Sequence, residues 1–214
     1  ESGQCNVGNW KDIIAISAGE SFTIGLRSDG TVVATGSNSF KQCNVADWTD
    51  IVAISAGTSH TVGLRSDGTV VAAGEDYDDA CNVRSWKNIV AVSAGLSHTV
   101  GLKSDGTVVA VGGTDIKAFD DGQCNVSDWK DIIAVSAGAG YTMGLRSDGT
   151  VVAVGNNQDG RSDVNDWEDI VEISAGMYNT VGLRADGTVV AVGLSKYGVC
   201  DVGEWKNIRL PWEE

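Results

Sequence analysis

Short apolar runs rich in valine, isoleucine and alanine, each bounded by glycine or an Asp-Gly pair, recur along the whole chain. In one copy these runs are Ile51–Ser55, Thr61–Arg65 and Thr69–Ala73, whose length and β-branched content predict β-strands. Ser66-Asp67-Gly68 joins the second run to the third. Asp-Gly between apolar runs signals a tight hairpin, because such turns need positive φ and glycine tolerates it. Cys43–Val45 offers a fourth, shorter strand. No stretch carries the apolar spacing of an amphipathic helix.

The runs belong to a tandem repeat. Trp10, Trp48, Trp86, Trp129, Trp167 and Trp205 follow one another at steps of 38, 38, 43, 38 and 38 residues. Ser-Ala-Gly triplets and Asp-Gly pairs keep the same step. Complete units run over 5–42, 43–80, 81–123, 124–161 and 162–199, with a partial unit over 200–214. A fixed period of this size means one supersecondary unit copied along the chain, its core formed only by stacking neighbours. Units of three or four antiparallel strands and about 40 residues predict an all-β fold, a β-propeller of five blades. The whole of 1–214 is then one domain. Ser-Ala-Gly suits the crowded end of the innermost strand, and each tryptophan is expected as a core wedge between blades. The final copy is degenerate: Arg209 stands at the Val52 position and Pro211 at the Ile54 position. Proline removes a ladder donor, so the partial unit is expected as a cap or latch on a monomer. A ring left open would instead expose edges that drive association.

Two motifs carry a family resemblance. Ala-Gly-x-x-His-Thr-x-x-Leu stands at Ala56 to Leu64 and again at Ala94 to Leu102. Gly155-Asn156-Asn157-Gln158-Asp159-Gly160 is similar to a Gly-x-Asn-x-x-Gly loop. Both resemble the regulator of chromosome condensation repeat, and the short unit is similar to bacterial members such as β-lactamase inhibitor protein II. The resemblance implies a β-propeller used for binding proteins. It also has departures. Those relatives commonly form seven blades, and their frequent Trp-Gly at a strand end is Ala-x-Gly or Val111-Gly112 here.

Charge narrows the partners. There are 15 Lys plus Arg against 29 Asp plus Glu, a formal net of −14, which disfavours nucleic acid and anionic membrane surfaces. No apolar run is long enough to span a bilayer, and the chain opens without the basic and apolar regions of a secretion signal. Cys5, Cys43, Cys81, Cys124 and Cys200 share one repeat position, taken by Ser162 in the fifth unit. An odd count spread over a ring is read as small, partly buried thiols in a reducing, cytoplasmic compartment. Close metal-ligand spacing is missing, and so are a nucleophile elbow, a phosphate loop and a catalytic triad. The expectation is a binding protein without enzymatic activity, cofactor or metal.

Positions that vary between units point to the binding surface. One set follows Ser-Ala-Gly and includes Phe22, His60, His98, Tyr141, Met177, Tyr178 and Asn179. Equivalent turns gather on one face of a propeller, and aromatic residues and methionine on a rigid scaffold anchor interfaces. The histidines also read as turn residues bonded locally to backbone. A second set closes each unit and contributes Phe40, Tyr77, Phe119 and Tyr197, which extend the surface if they face the same way. The acidic loop Glu75-Asp76-Tyr77-Asp78-Asp79 lacks the spacing and glycine of a calcium loop. A protein partner is the leading expectation. The alternatives are a sugar or other small ligand bound lectin-fashion, and a structural segment of a longer array.

Overall fold

The computed structural model describes residues 2–76, 79–113 and 121–208, with the Tyr197 side chain also set aside. Among these residues fifteen strands form five antiparallel three-stranded sheets, each with its strands in chain order. Blade 1 holds β1 (Ile13–Ala18), β2 (Phe22–Arg27) and β3 (Val32–Gly36), and blade 2 holds β4 (Ile51–Ala56), β5 (His60–Arg65) and β6 (Val70–Gly74). Blade 3 is β7 (Ile89–Ala94), β8 (His98–Lys103) and β9 (Val108–Gly112). Blade 4 is β10 (Ile132–Ala137), β11 (Tyr141–Arg146) and β12 (Val151–Gly155). Blade 5 is β13 (Ile170–Ala175), β14 (Asn179–Arg184) and β15 (Val189–Gly193). Each blade has three strands, because the lead segment around Cys43–Val45 and its equivalents folds as successive turns.

Local chemistry fixes both ends of every sheet. At one end, Asp29 Oδ1 accepts the Thr31 N–H at 2.9 Å and the Thr31 hydroxyl at 2.6 Å, while Gly30 takes φ 79°. The same aspartate–threonine turn recurs at Asp67, Asp105, Asp148 and Asp186, and these bonds hold all five carboxyls below the usual range. Beside it, Asp12, Asp50, Asn88, Asp131 and Asp169 enter the inner strands at φ near 60°, a region that Asp and Asn tolerate better than bulkier residues. The shared cysteine position is also local. The Cys43 thiol donates to the Ser37 carbonyl at 3.2 Å, and the Ser162 hydroxyl donates to Asn156 in the same way.

The core lies between blades. The middle strand of each of blades 1 to 4 packs on the inner strand of the next. At the first seam, Phe22, Ile24 and Leu26 of β2 bury against Val45, Trp48 and Ile51 of the following unit. Trp48 then lies flat on Gly63 of its own blade, where an added Cβ would stand 2.7 Å from the indole. Trp86 on Gly101, Trp129 on Gly144 and Trp167 on Gly182 repeat the contact, so the tryptophans are the expected wedges. A polar line follows each seam. Ser17 Oγ accepts the Ala56 N–H at 2.9 Å, and Ser55, Ser93 and Ser136 do the same for Ala94, Ala137 and Ala175. The glycine of Ser-Ala-Gly is required by closeness: a Cβ on Gly57 would sit 2.4 Å from the His60 ring and 2.6 Å from the Gly95 carbonyl.

Among the described residues four seams are complete, and no seam of the same kind joins blade 5 to blade 1. Ser174 and Ala18, which another Ser–Ala bond would join, are both exposed. Ile16 is 72% exposed on blade 1, while Ile54 and Val92, its counterparts, are partly covered by the blade before. Residues 200–208 lie on blade 5 as other lead segments lie on their blades: Val202 is buried and the Ile208 N–H donates to the Gly187 carbonyl. Trp205, with no further blade over it, is 53% exposed. Among the described residues the protein forms five propeller blades in succession, with blades 1 and 5 at the two ends of the arc.

Candidate functional site

The strand order brings the inner turns and the closing loops to the same face. Each closing loop begins with an N–H bonded to an inner turn: Ser37 to Ser21, Glu75 to Ser59, Asn156 to Gly140 and Leu194 to Tyr178. The hairpin turns at Asp29 and its equivalents occupy the opposite face. The five inner turns converge round a central cavity of about 320 Å³, lined by Gly19, Gly57, Gly95, Gly138 and Gly176 and their neighbours.

Within this face the expected anchors divide sharply. Met177 and Tyr178 are 52% and 49% exposed, and Phe40 is also exposed. Phe22, His60, His98 and Tyr141 are interior, so their reading as surface anchors is corrected. They are the first residues of their middle strands, and the alternation Phe22, Ile24, Leu26 puts them on the side that buries against the next blade. Asn179 holds the same position on blade 5 and is only partly buried. Tyr77 and Phe119 fall outside the described residues, as does the Tyr197 side chain.

The buried histidines bond across seams. His60 Nε2 lies 3.0 Å from Thr99 Oγ1, and His98 Nε2 lies 2.9 Å from Thr142 Oγ1. Both threonine hydroxyls give their proton to a carbonyl, of Ala80 and of Gln123, so each histidine must be the donor through Nε2–H. Burial pulls His60 down to about 4 and His98 to about 3, the latter helped by the nearby His60. Neither is turned to metal or proton chemistry. The expectation of bonds to local backbone is corrected too: the partner is a side chain of the next blade. Tyr141 makes the equivalent link, donating to the Asn179 carbonyl at 2.8 Å beside Thr180 Oγ1.

A residue outside the expected set orders the exposed anchors. Arg161, the last residue of its closing loop, is buried; Nη1 donates to the Met177 carbonyl at 2.7 Å and Nη2 pairs with Asp159. Its guanidinium stands 5.3 Å from the Tyr178 ring centroid, a cation–π distance. Above it opens a recess of about 410 Å³ walled by Tyr178, Met177, Leu96, Asp121 and Asn156. Asn156 Nδ2 donates to Asp121 Oδ2 across the floor of the closing loops, and the buried Ser97 Oγ has no hydrogen-bond partner among the described residues. Gln42, Ala80 and Gln123 at the same repeat position are buried too, which only the structure shows. Among the described residues, His, Cys, Asp and Glu gather nowhere in threes as metal ligands, and no helix is long and apolar enough to cross a membrane.

Comparison with solved structures gives the same architecture. Prp20p of Saccharomyces cerevisiae, whose structure was described with its binding to Gsp1p and histones, superposes with a TM-score of 0.73 at 16% identity. The match covers 91% of this chain and 61% of Prp20p, so the chain spans about three fifths of that relative. The CRINKLY WD40 ectodomain of the Arabidopsis thaliana receptor kinase ACR4 gives 0.73 at 20% identity, over 94% of this chain and 72% of that one. Human WBSCR16 gives 0.68 at 17%, over 86% and 62%. At such identities the likeness shows the fold alone. By sequence, no curated protein matches the chain. The profile of the Regulator of chromosome condensation (RCC1) repeat matches residues 13–42, 51–79, 89–115 and 132–161, more than half of the chain. Four matches in register with blades 1 to 4 place this protein in the RCC1 repeat family.

Proposed function

We propose that the protein is a non-catalytic binding module that presents the inner-turn and closing-loop face to a protein partner. The observation that carries this reading is the exposed pair Met177 and Tyr178, fixed by the buried Arg161 at the mouth of a recess large enough for a partner side chain. Aromatic and methionine anchors on rigid turns concentrate binding energy in this way. Asp121 walls the same recess and Asp159 pairs with Arg161, while Glu20, Glu75 and Asp76 lie on the same face in other blades, so a basic, partly apolar surface is the complementary partner. Prp20p, described with its binding to Gsp1p and histones, supplies a precedent for the fold as a protein-binding scaffold. The inner turns differ from blade to blade, which argues against five equivalent sugar pockets.

The test compares proteins captured by the intact chain with those captured by a Met177→Ala, Tyr178→Ala variant and by a Lys130→Glu variant on the opposite face. Loss of a central anchor costs about 2 kcal/mol or more, roughly thirtyfold in affinity. The expected result is a partner lost with the double variant and retained with Lys130→Glu. Equal capture by all three would refute the assignment.

A further inference from the structure

We propose that the recess between Tyr178 and Asp121 receives a basic side chain of the partner, a lysine or an arginine. Its charged head lies on the Asp121 carboxylate, and its stem lies on Tyr178, Met177 and Leu96. The inference rests on the reading of this face as the protein-binding surface and adds which side chain the partner inserts. The recess is built by blades 3, 4 and 5, which complete seams join. Asp121 is held from three sides. Its N–H donates to Oε1 of the buried Gln123 at 2.8 Å, and its Oδ2 accepts from Asn156 Nδ2 at 3.1 Å. Beside it lies Gly140, where an added Cβ would stand 2.8 Å from Oδ2. The other inner turns carry Ser21, Ser59, Ser97 and Tyr178 at that position, so the bare turn of blade 4 is what admits the carboxylate.

The charges decide the occupant. Among the described residues, two charged side chains line the recess, Asp121 and Arg161. Arg161 is 5% exposed, with Nη1 on the Met177 carbonyl, Nη2 on the Asp159 carboxylate and Nε buried. It is thus covered from an acidic guest, and Asp159 already balances its charge. Asp121 is the opposite case. It is exposed, and its partner Asn156 is a neutral amide that leaves the charge unbalanced. A purely apolar guest would strip water from that carboxylate and put nothing in its place, which costs free energy. A lysine or arginine brings both the missing charge and the donors, and such charge-assisted bonds are the strong ones. Its methylene stem meanwhile covers Met177 and the Tyr178 ring, both about half exposed. That ring is already fixed as a wall by Arg161, 5.3 Å from its centroid.

Methyl NMR of the intact chain tests this with butylguanidinium and butylammonium, which are arginine and lysine side chains cut free, against butanol and butyrate. The chain has two methionines, so labelled methyls report separately. Met177 lines the recess, and Met143, buried in the core, reports that the fold is intact. The cations are expected to shift the Met177 methyl saturably and to leave Met143 still. Asp121→Asn keeps the size of the side chain and should weaken that binding at least about tenfold, as loss of a charge-assisted bond does. No shift at Met177, butanol or butyrate bound as well as the cations, or an unchanged affinity in Asp121→Asn would each overturn the inference. The capture assay separates it from the reading beneath it. A partner lost with Met177→Ala, Tyr178→Ala but kept with Asp121→Asn would leave the binding face standing and remove the basic guest; loss with both is the expected result.

Discussion

His60 and His98 show how much a single buried side chain carries in this fold. Each spends its only proton on a threonine hydroxyl of the next blade, and a second proton would place a charge in a dry seam. Their folded values, about 4 and about 3, lie below the ordinary 6.5. Above pH 6.5 both states are neutral and the stability is intact. As pH falls through 6.5 the unfolded chain takes up protons that the folded chain refuses, and stability is lost until about pH 4 for His60 and about pH 3 for His98. The slope is on the order of 1.4 kcal/mol per pH unit for each histidine. Urea denaturation between pH 7 and pH 5 should show this slope. Replacing both by the residue that blade 1 uses at the same position, His60→Phe with His98→Phe, should flatten it. An unchanged slope would mean that other groups titrate there.

At the scale of the element, the lead segment and its tryptophan decide how blades join. Trp129 fills an internal seam, whereas Trp205 has one side open. Trp129→Ala should cost about 3–5 kcal/mol in denaturant unfolding. Trp205→Ala should cost less than about 1 kcal/mol, as surface changes do. Equal costs would contradict the wedge role. The strands, the hairpin and the tryptophan wedges were legible in the sequence, because Asp-Gly, β-branched runs and a fixed period each have a direct physical cause. The first residue of each middle strand was not. Phe22, His60, His98 and Tyr141 vary between units as a binding loop would, yet the variation is repacking of one buried site. The two-residue alternation running back from Leu26 through Ile24 carries the better signal. Arg161 was missed for the opposite reason, since a charged residue at a loop's end reads as solvated when it is in fact stacked beneath Tyr178.

Across the whole molecule, one seam repeated four times makes a rigid arc and holds the variable turns on one face. The proposed binding surface is that face, and what holds it is the set of internal seams. Rigidity of the face depends on those seams, each made by a serine, an alanine N–H and a tryptophan wedge. Hydrogen exchange, read residue by residue at a concentration where the chain is monomeric, tests this most directly. The N–H groups of Ala56, Ala94 and Ala137 each donate to a serine of the preceding blade, and they should exchange only with global unfolding. Ala18, exposed at the same position on blade 1, should exchange faster by orders of magnitude. Protection of Ala18 equal to the other three would mean that blade 5 closes on blade 1 within one chain, and the arc of four seams would be contradicted.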